Sequence, residues 1–120
     1  MEKKFRLPKE FATRWVAALR SGEYKQGNGT LRMLYDDGNH YCCLGVAIKM
    51  NGVDDKNIFG GYPNIESNAE ILAAVPLELL MGSTGDGSLG AECVDLNDIE
   101  NKSFPEIADW LEQNVEFYEN

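Results

Sequence analysis

The sequence predicts an α+β fold in which a two- or three-stranded antiparallel sheet packs against three to four helices, and three observations carry that reading. The apolar run from His40 to Gly52 begins with the two-residue alternation of a strand and continues at the spacing of a helix. The turn-forming string Asp36-Asp37-Gly38-Asn39 separates this run from a second strand-like segment. Amphipathic helical patterns lie towards both ends of the chain. With 120 residues and 43% hydrophobic content, 1–120 is expected to form one domain with one core, large enough to fold without staples.

Taken in order, Leu7-Pro8 opens the first helix, with proline in the first turn where its missing N–H does no harm. Phe11, Ala12, Trp15, Ala18 and Leu19 then share one face, and Ser21-Gly22 ends the run. Glu10 and Arg14, four residues apart, are expected to pair on the outer face. The turn-rich stretch 23–29 leads into a strand over Thr30 to Tyr35, which the turn at 36–39 pairs antiparallel with His40 to Cys43. From there Cys43, Val46, Ala47 and Met50 line a helical stripe that Asn51-Gly52 closes.

Val53 to Glu66, with Gly60-Gly61 and Pro63, reads as a long surface loop. Ser67 and Glu70 fit a capping box, Pro76 breaks the helix that follows, and Gly82 to Gly90 reads as a flexible connector. Ala91 to Leu96 reads as a third strand. Ser103-Phe104-Pro105-Glu106 is a second capping box. Phe104, Ile107, Ala108, Leu111 and Val115 form the apolar stripe of a terminal helix, and Glu106, Asp109, Glu112 and Glu116 make its outside acidic. The aromatics Phe11, Trp15, Phe104 and Trp110 are expected to anchor the helix contacts.

The net charge of −9 divides unevenly. Residues 1–35 hold eight Lys and Arg against three acidic residues, a balance of +5, and residues 36–120 carry −14. The N-terminal segment is thus the one plausible anion-binding surface, unless the two halves simply attract each other across the fold. Three cysteines, two of them adjacent, with no apolar leader after the charged Met1 to Arg6, fit a reducing cytoplasm. No apolar run approaches the ~18 residues of a membrane span.

Cys42 and Cys43 read either as small core hydrophobes or as a thiolate at a helix N-terminus. The second reading needs a base, and the only histidine, His40, stands on the same strand at an unsuitable spacing, so a cysteine enzyme is disfavoured and no catalytic residue is assigned. Asp55, Asn57, Gly60 and Glu66 echo a calcium loop, but Phe59 and Pro63 interrupt it, and no metal or cofactor is expected. The better binding candidate is the stretch Lys25 to Arg32, where two cations and a hydroxyl bracket a glycine-opened backbone. The candidate ligand set is Arg20, Tyr24, Lys25, Asn28, Thr30, Arg32 and Tyr41, and Tyr24, Tyr35 and Tyr41 are expected to offer stacking faces nearby.

YCCLGV at Tyr41 to Val46, the N-terminal LPKEFATRWVAALRSGEYKQGNGTL and the C-terminal LNDIENKSFPEIADWLE resemble a group of small uncharacterised bacteriophage and prophage proteins, which share a (F/Y)CCLGV centre and an LND…SF…IADWIE C-terminal helix. The resemblance spans both ends and the centre and leaves residues 53–90 aside. It implies origin and architecture, so that the expected cytoplasm is that of a host cell, and no catalytic residues carry over from it. The function expected is a phage-encoded non-enzymatic accessory protein that sequesters a small anionic, nucleotide-like signal of host immunity. The alternative is an acidic inhibitor of a host nucleic-acid-binding or defence protein. A small anionic ligand, a host defence protein and a second copy of the chain are the partners left open; direct nucleic-acid binding and membrane insertion are not expected.

Overall fold

In the computed structural model, which describes residue 3 and residues 5–61, 69–80 and 87–119, the chain runs β1 (Phe5–Pro8), α1 (Lys9–Arg20), β2 (Lys25–Gln26), β3 (Arg32–Tyr35), β4 (Gly38–Tyr41) and α2 (Cys43–Met50). A 3-10 turn (Asp55–Asn57) follows, then α3 (Ala69–Ala74), α4 (Leu77–Leu80), α5 (Leu89–Asp98), α6 (Phe104–Asn114) and β5 (Val115–Tyr118). This is an α+β architecture with two small sheets.

Helix α2 is the centre of the core. Cys43, Leu44, Val46, Ala47 and Ile48 are all buried, because the helix is apolar on every side and other elements cover it. Trp15 of α1 is fully buried against it and donates its indole N–H to the Cys43 carbonyl at 3.0 Å, so one side chain supplies both packing and a partner for the helix start. The sheet is just as close. A Cβ built on Gly45 would stand 2.0 Å from the Leu31 carbonyl oxygen, so only glycine lets α2 lie against the strand at this point. That contact explains the glycine in YCCLGV.

The three-stranded sheet has the order β2-β4-β3. β3 and β4 form the expected antiparallel hairpin, with Tyr35 opposite Gly38 and Arg32 opposite Tyr41. β2 pairs with β4 in parallel, so the sheet is mixed instead of purely antiparallel. A second, two-stranded sheet joins the chain ends in parallel, with Phe5 opposite Val115 and Leu7 opposite Phe117.

Several boundaries differ from expectation. Pro8 ends β1 and precedes α1, because Phe5 and Leu7 alternate into the core as strand residues. The terminal helix stops at Asn114, and Val115 begins β5. Ala91 to Leu96 belongs to α5, not to a strand: Leu89, Cys93 and Leu96 form a helical stripe, and Ser88 caps it by accepting from the Ala91 N–H at 3.1 Å. Pro76 separates α3 from α4 as a helix breaker should. The stretch after α2 is more than a surface loop, since Val53 and Ile58 are core residues. Ser67 and most of the glycine-rich stretch lie outside the described residues. The second capping box is present, with Ser103 Oγ accepting from the Glu106 N–H and Glu106 accepting from the Ser103 N–H at 2.9 Å.

Candidate functional site

Successive residues of β4 point to opposite faces of the sheet, and this alternation divides its polar residues into two clusters. Arg32 lies opposite Tyr41 on one face, while Lys25 and Met33 lie opposite His40 on the other. The two cations expected to converge on one anion are therefore on different faces.

On the Tyr41 face, Asp55 is the hub. It accepts from the Tyr41 hydroxyl at 2.5 Å and from Asn39 at 3.3 Å, and it pairs with Lys49 at 3.3 Å. Arg32 donates to Asn39 at 2.7 Å and to the Ile58 carbonyl at 3.0 Å. Partial burial works to raise the Asp55 carboxyl, but the hydrogen bonds from Tyr41 and Lys49 and the nearby cations outweigh it and hold the group below the ordinary carboxylate range. Burial, followed by the bond to Asp55, pushes the Tyr41 phenol up. Every member of this cluster has a partner in the fold, and the Tyr24 ring meets Tyr41 edge-on at 5.8 Å. It braces the 3-10 turn against the sheet.

A polar cleft of about 340 Å³ lies at the β2 edge of the sheet, between the His40 side of the hairpin and the α5–α6 junction. Its floor is a three-way hydrogen-bonded knot. Asn97, only 2% exposed, donates to the Gly27 carbonyl at 2.8 Å and accepts from Gln26 Nε2 at 2.8 Å. Gln26 also donates to the Lys102 carbonyl and accepts from the Phe104 N–H at the start of α6. His40 faces the Gln26 carbonyl at 3.3 Å and the Asp37 carboxylate at 2.9 Å through its two ring nitrogens, and the half-exposed Tyr35 ring stands edge-on to it at 4.6 Å. The bond from His40, and then the charge of Lys25, hold the Asp37 carboxyl low. Asn28, Asn101 and Lys102 complete the walls. Among the described residues, neither the Lys102 ammonium nor the Asn28 side chain has a hydrogen-bond or ion-pair partner.

Of the candidate ligand set Asn28 alone lines this cleft, joined by Gln26 and Gly27 of the same glycine-opened stretch and by Tyr35, which the sequence offered as a stacking face. Lys25 stands on the same face but is tied to the Asp37 carbonyl and, at 3.4 Å, to its carboxylate. Thr30 bonds the Arg32 carbonyl at 3.2 Å, and Arg32, Tyr24 and Tyr41 lie across the sheet. Arg20 points elsewhere, clamping Asp109 at 2.6 Å and Glu112 at 2.7 Å on α6. Arg14 does not pair with Glu10; it donates to Asn51 at 2.9 Å and to the Met50 carbonyl at 3.0 Å at the end of α2, where carbonyls lack helical partners. The cleft residues not foreseen, His40, Asn97, Asn101 and Lys102, give no local signal, because α5 supplies Asn97 and the connection from α5 to α6 supplies Asn101 and Lys102 from about seventy positions away.

A larger hollow of about 470 Å³ lies between α1 and β5, but its cations are engaged, Arg14 as above and Lys9 with Glu119 at 3.2 Å. The three thiols are buried; burial pushes those of Cys42 and Cys43 up, and Cys43 donates to the Cys93 carbonyl at 3.3 Å. They pack as core hydrophobes. Among the described residues no group of three His, Cys, Asp or Glu side chains is gathered as for a metal ion, and no helix is long and apolar enough to cross a membrane.

A family model described as a domain of unknown function (DUF8296) matches residues 7–69, a span that holds α1, the three-stranded sheet and α2 but not the α5–α6 wall of the cleft. No curated protein and no solved structure matches the chain.

Proposed function

The chain belongs to the family of the domain of unknown function DUF8296, and from the cleft that the matched span helps to build we propose that the protein is a non-enzymatic binder of a small anionic, nucleotide-like ligand. One observation carries this reading: the Lys102 ammonium, whose charge is felt by Glu106 but which makes no hydrogen bond among the described residues, and the Asn28 side chain line a cleft whose floor the Gln26–Asn97–Gly27 knot holds in place. The floor is thus preorganised, and a ligand has only the Lys102 and Asn28 side chains to order. The volume falls within the usual range of small-molecule sites, and Tyr35 at the rim offers an aromatic surface to a base. The resemblance of the central and terminal motifs to phage and prophage proteins supports a role in sequestering a nucleotide signal of host immunity.

The acidic-inhibitor reading has less support. Of the acidic residues on the outside of α6 and just beyond it, Asp109 and Glu112 are held by Arg20, Glu116 pairs with Arg6 at 3.4 Å, and Glu106 caps the helix.

Calorimetric titration with mononucleotides and cyclic dinucleotides tests the proposal. A charge-assisted contact contributes ~1.5–3 kcal/mol, so Lys102→Ala is expected to weaken binding by about ten- to a hundredfold. Tyr35→Ala weakens it less, and the exposed Lys56→Ala leaves it unchanged. Absence of binding by the wild type across the panel, or wild-type affinity in Lys102→Ala, overturns it.

A further inference from the structure

β3 is an edge strand, and its outer edge is exposed and apolar: Met33, Leu34 and Tyr35 are 43%, 66% and 50% accessible. Edge strands are commonly blunted by lysine, proline, a bulge or a covering element, and these three residues include none of the blunting side chains.

The direction of the backbone groups follows from the hairpin. Tyr35 and Gly38 flank a two-residue turn and form its hydrogen-bonded pair, Met33 and His40 form the next, and the Leu31 carbonyl then accepts from the Cys42 N–H at 3.2 Å. Tyr41 faces the other way, its carbonyl accepting from the Gly27 N–H at 2.8 Å. The N–H and C=O groups of Arg32 and Leu34 therefore point away from β4. The Arg32 carbonyl takes the Thr30 hydroxyl, whereas those of Leu34 have no partner among the described residues.

We propose that β3 pairs antiparallel with β3 of a second copy of this chain about a two-fold axis at Leu34, extending the sheet to six strands. Charge complementarity selects this register. With the axis at Leu34, outward-facing groups meet outward-facing groups throughout, and Arg32 lies opposite Asp36 of the second copy. An axis at Met33 sets Arg32 against Leu34, and an axis at Tyr35 sets Leu34 against Asp36, so neither pairs opposite charges. Arg32 uses its Nε and Nη1 groups within the fold, which leaves Nη2 for the carboxylate. The same register sets Met33 of the second copy opposite Tyr35, at the rim of the cleft. That last consequence rests on the ligand reading above; the pairing does not.

Sedimentation equilibrium tests the pairing without any ligand, so its failure is distinct from a failure of nucleotide binding. The mass of the wild type is expected to rise from 13.4 kDa towards twice that value with concentration. Leu34→Pro removes an outward N–H and leaves the Met33 and Tyr35 bonds to β4 in place, and Leu34→Lys adds a charge at the axis; each should weaken association by at least about tenfold. Register is read by cross-linking. A hydrogen-bonded antiparallel pair sets Cα atoms about 5.5 Å apart, within disulfide reach, and the native cysteines are buried. Leu34→Cys should therefore be oxidised by diamide to a covalent dimer faster than Ile99→Cys, a control at a 72% exposed position. A 13.4 kDa monomer at every concentration, or equal cross-linking of the two cysteine variants, overturns the proposal.

Discussion

The face where β1 and α1 meet α6 and β5 and the sheet β2-β4-β3 use their charged groups in opposite ways. At the terminal face, residues 1–35 spend their cations on the acidic C-terminal segment: Arg6 on Glu116, Lys9 on Glu119, Arg20 on Asp109 and Glu112, and Lys3 on the Glu112 carbonyl. Arg6 also lies over the Tyr118 ring at 4.4 Å. The charge split in the sequence is in large part the means by which the two ends of the chain are joined. In the sheet, by contrast, partners are complete on the Tyr41 face and incomplete on the His40 face and along the β3 edge. A local excess of one charge sign in a sequence thus says little about a ligand surface until the intramolecular partners are counted.

Gly45 is where α2, which packs on α1 through Trp15, meets the chain beside the sheet, and its replacement should have the largest effect. Gly45→Ala places a methyl group 2.0 Å from the Leu31 carbonyl oxygen, a backbone atom that also holds the Cys42 N–H and cannot yield cheaply. Overpacking of this kind costs about 3 kcal/mol, a loss that urea denaturation should show. A change under about 1 kcal/mol would mean that α2 is free to withdraw from the sheet.

Asn97→Ala should come next and should divide the regions. It deprives the Gly27 carbonyl and Gln26 of a buried partner, at a cost of about 2 kcal/mol. Hydrogen exchange should rise at residues 25–28 and around the cleft while α1 and α6 keep their protection. A uniform rise would make the knot part of the global core instead of a local brace.

The contrast between the regions also explains what was legible in the sequence. α1, α2 and α6 announce themselves because helical stripes and caps are local: Trp15 with Leu19, the switch of period at Cys43, and Ser103 with Glu106. The β3–β4 hairpin is announced by Asp36-Asp37-Gly38. β1 and β5 are four residues each and exist as strands only through one another, at opposite ends of the chain. α5 was hidden because its cap, Ser88, sits in a glycine-rich stretch that reads as a loop. The cleft was half visible. The segment around Asn28 was recognisable as an opened backbone, but the faces taken by Lys25 and Arg32 depend on two residues of β2 pairing in parallel with β4, a register no local pattern encodes.

Ser103→Ala probes the start of α6, just after the α5–α6 connection that lines the cleft. It removes the hydroxyl acceptor of the Glu106 N–H and should cost about 1 kcal/mol, a typical value for a lost cap. The bond from the Ser103 backbone N–H to the Glu106 carboxylate does not involve the hydroxyl and survives the change. An unchanged denaturation midpoint would mean that Gln26, which accepts from the Phe104 N–H, holds the helix start by itself.

The smallest effect should be that of Arg20→Met, and its pH dependence distinguishes charge from packing at the terminal face. The hydrogen bond from Arg20, followed by its charge, holds the Glu112 carboxyl below its ordinary value of 4.5. A carboxylate whose folded pKa is depressed contributes stability that is complete above its unfolded pKa and is lost as pH falls through the folded value. The stability difference between wild type and Arg20→Met should therefore be constant from about pH 7 to about pH 5.5 and shrink below about pH 4.5 as Glu112 takes up a proton in both states. Methionine retains most of the arginine stem, so packing on α6 is largely preserved. Because the three groups are partly exposed, the difference should also fall with added salt. Glu106, Asp37 and Asp55 carry depressed carboxyls of their own, but Arg20 touches none of them, and their acid losses cancel in the comparison. A difference that persists undiminished in acid and in high salt would show that Arg20 joins the ends of the chain through its aliphatic stem, and the terminal face would then resemble the core more than it resembles a zipper of charges.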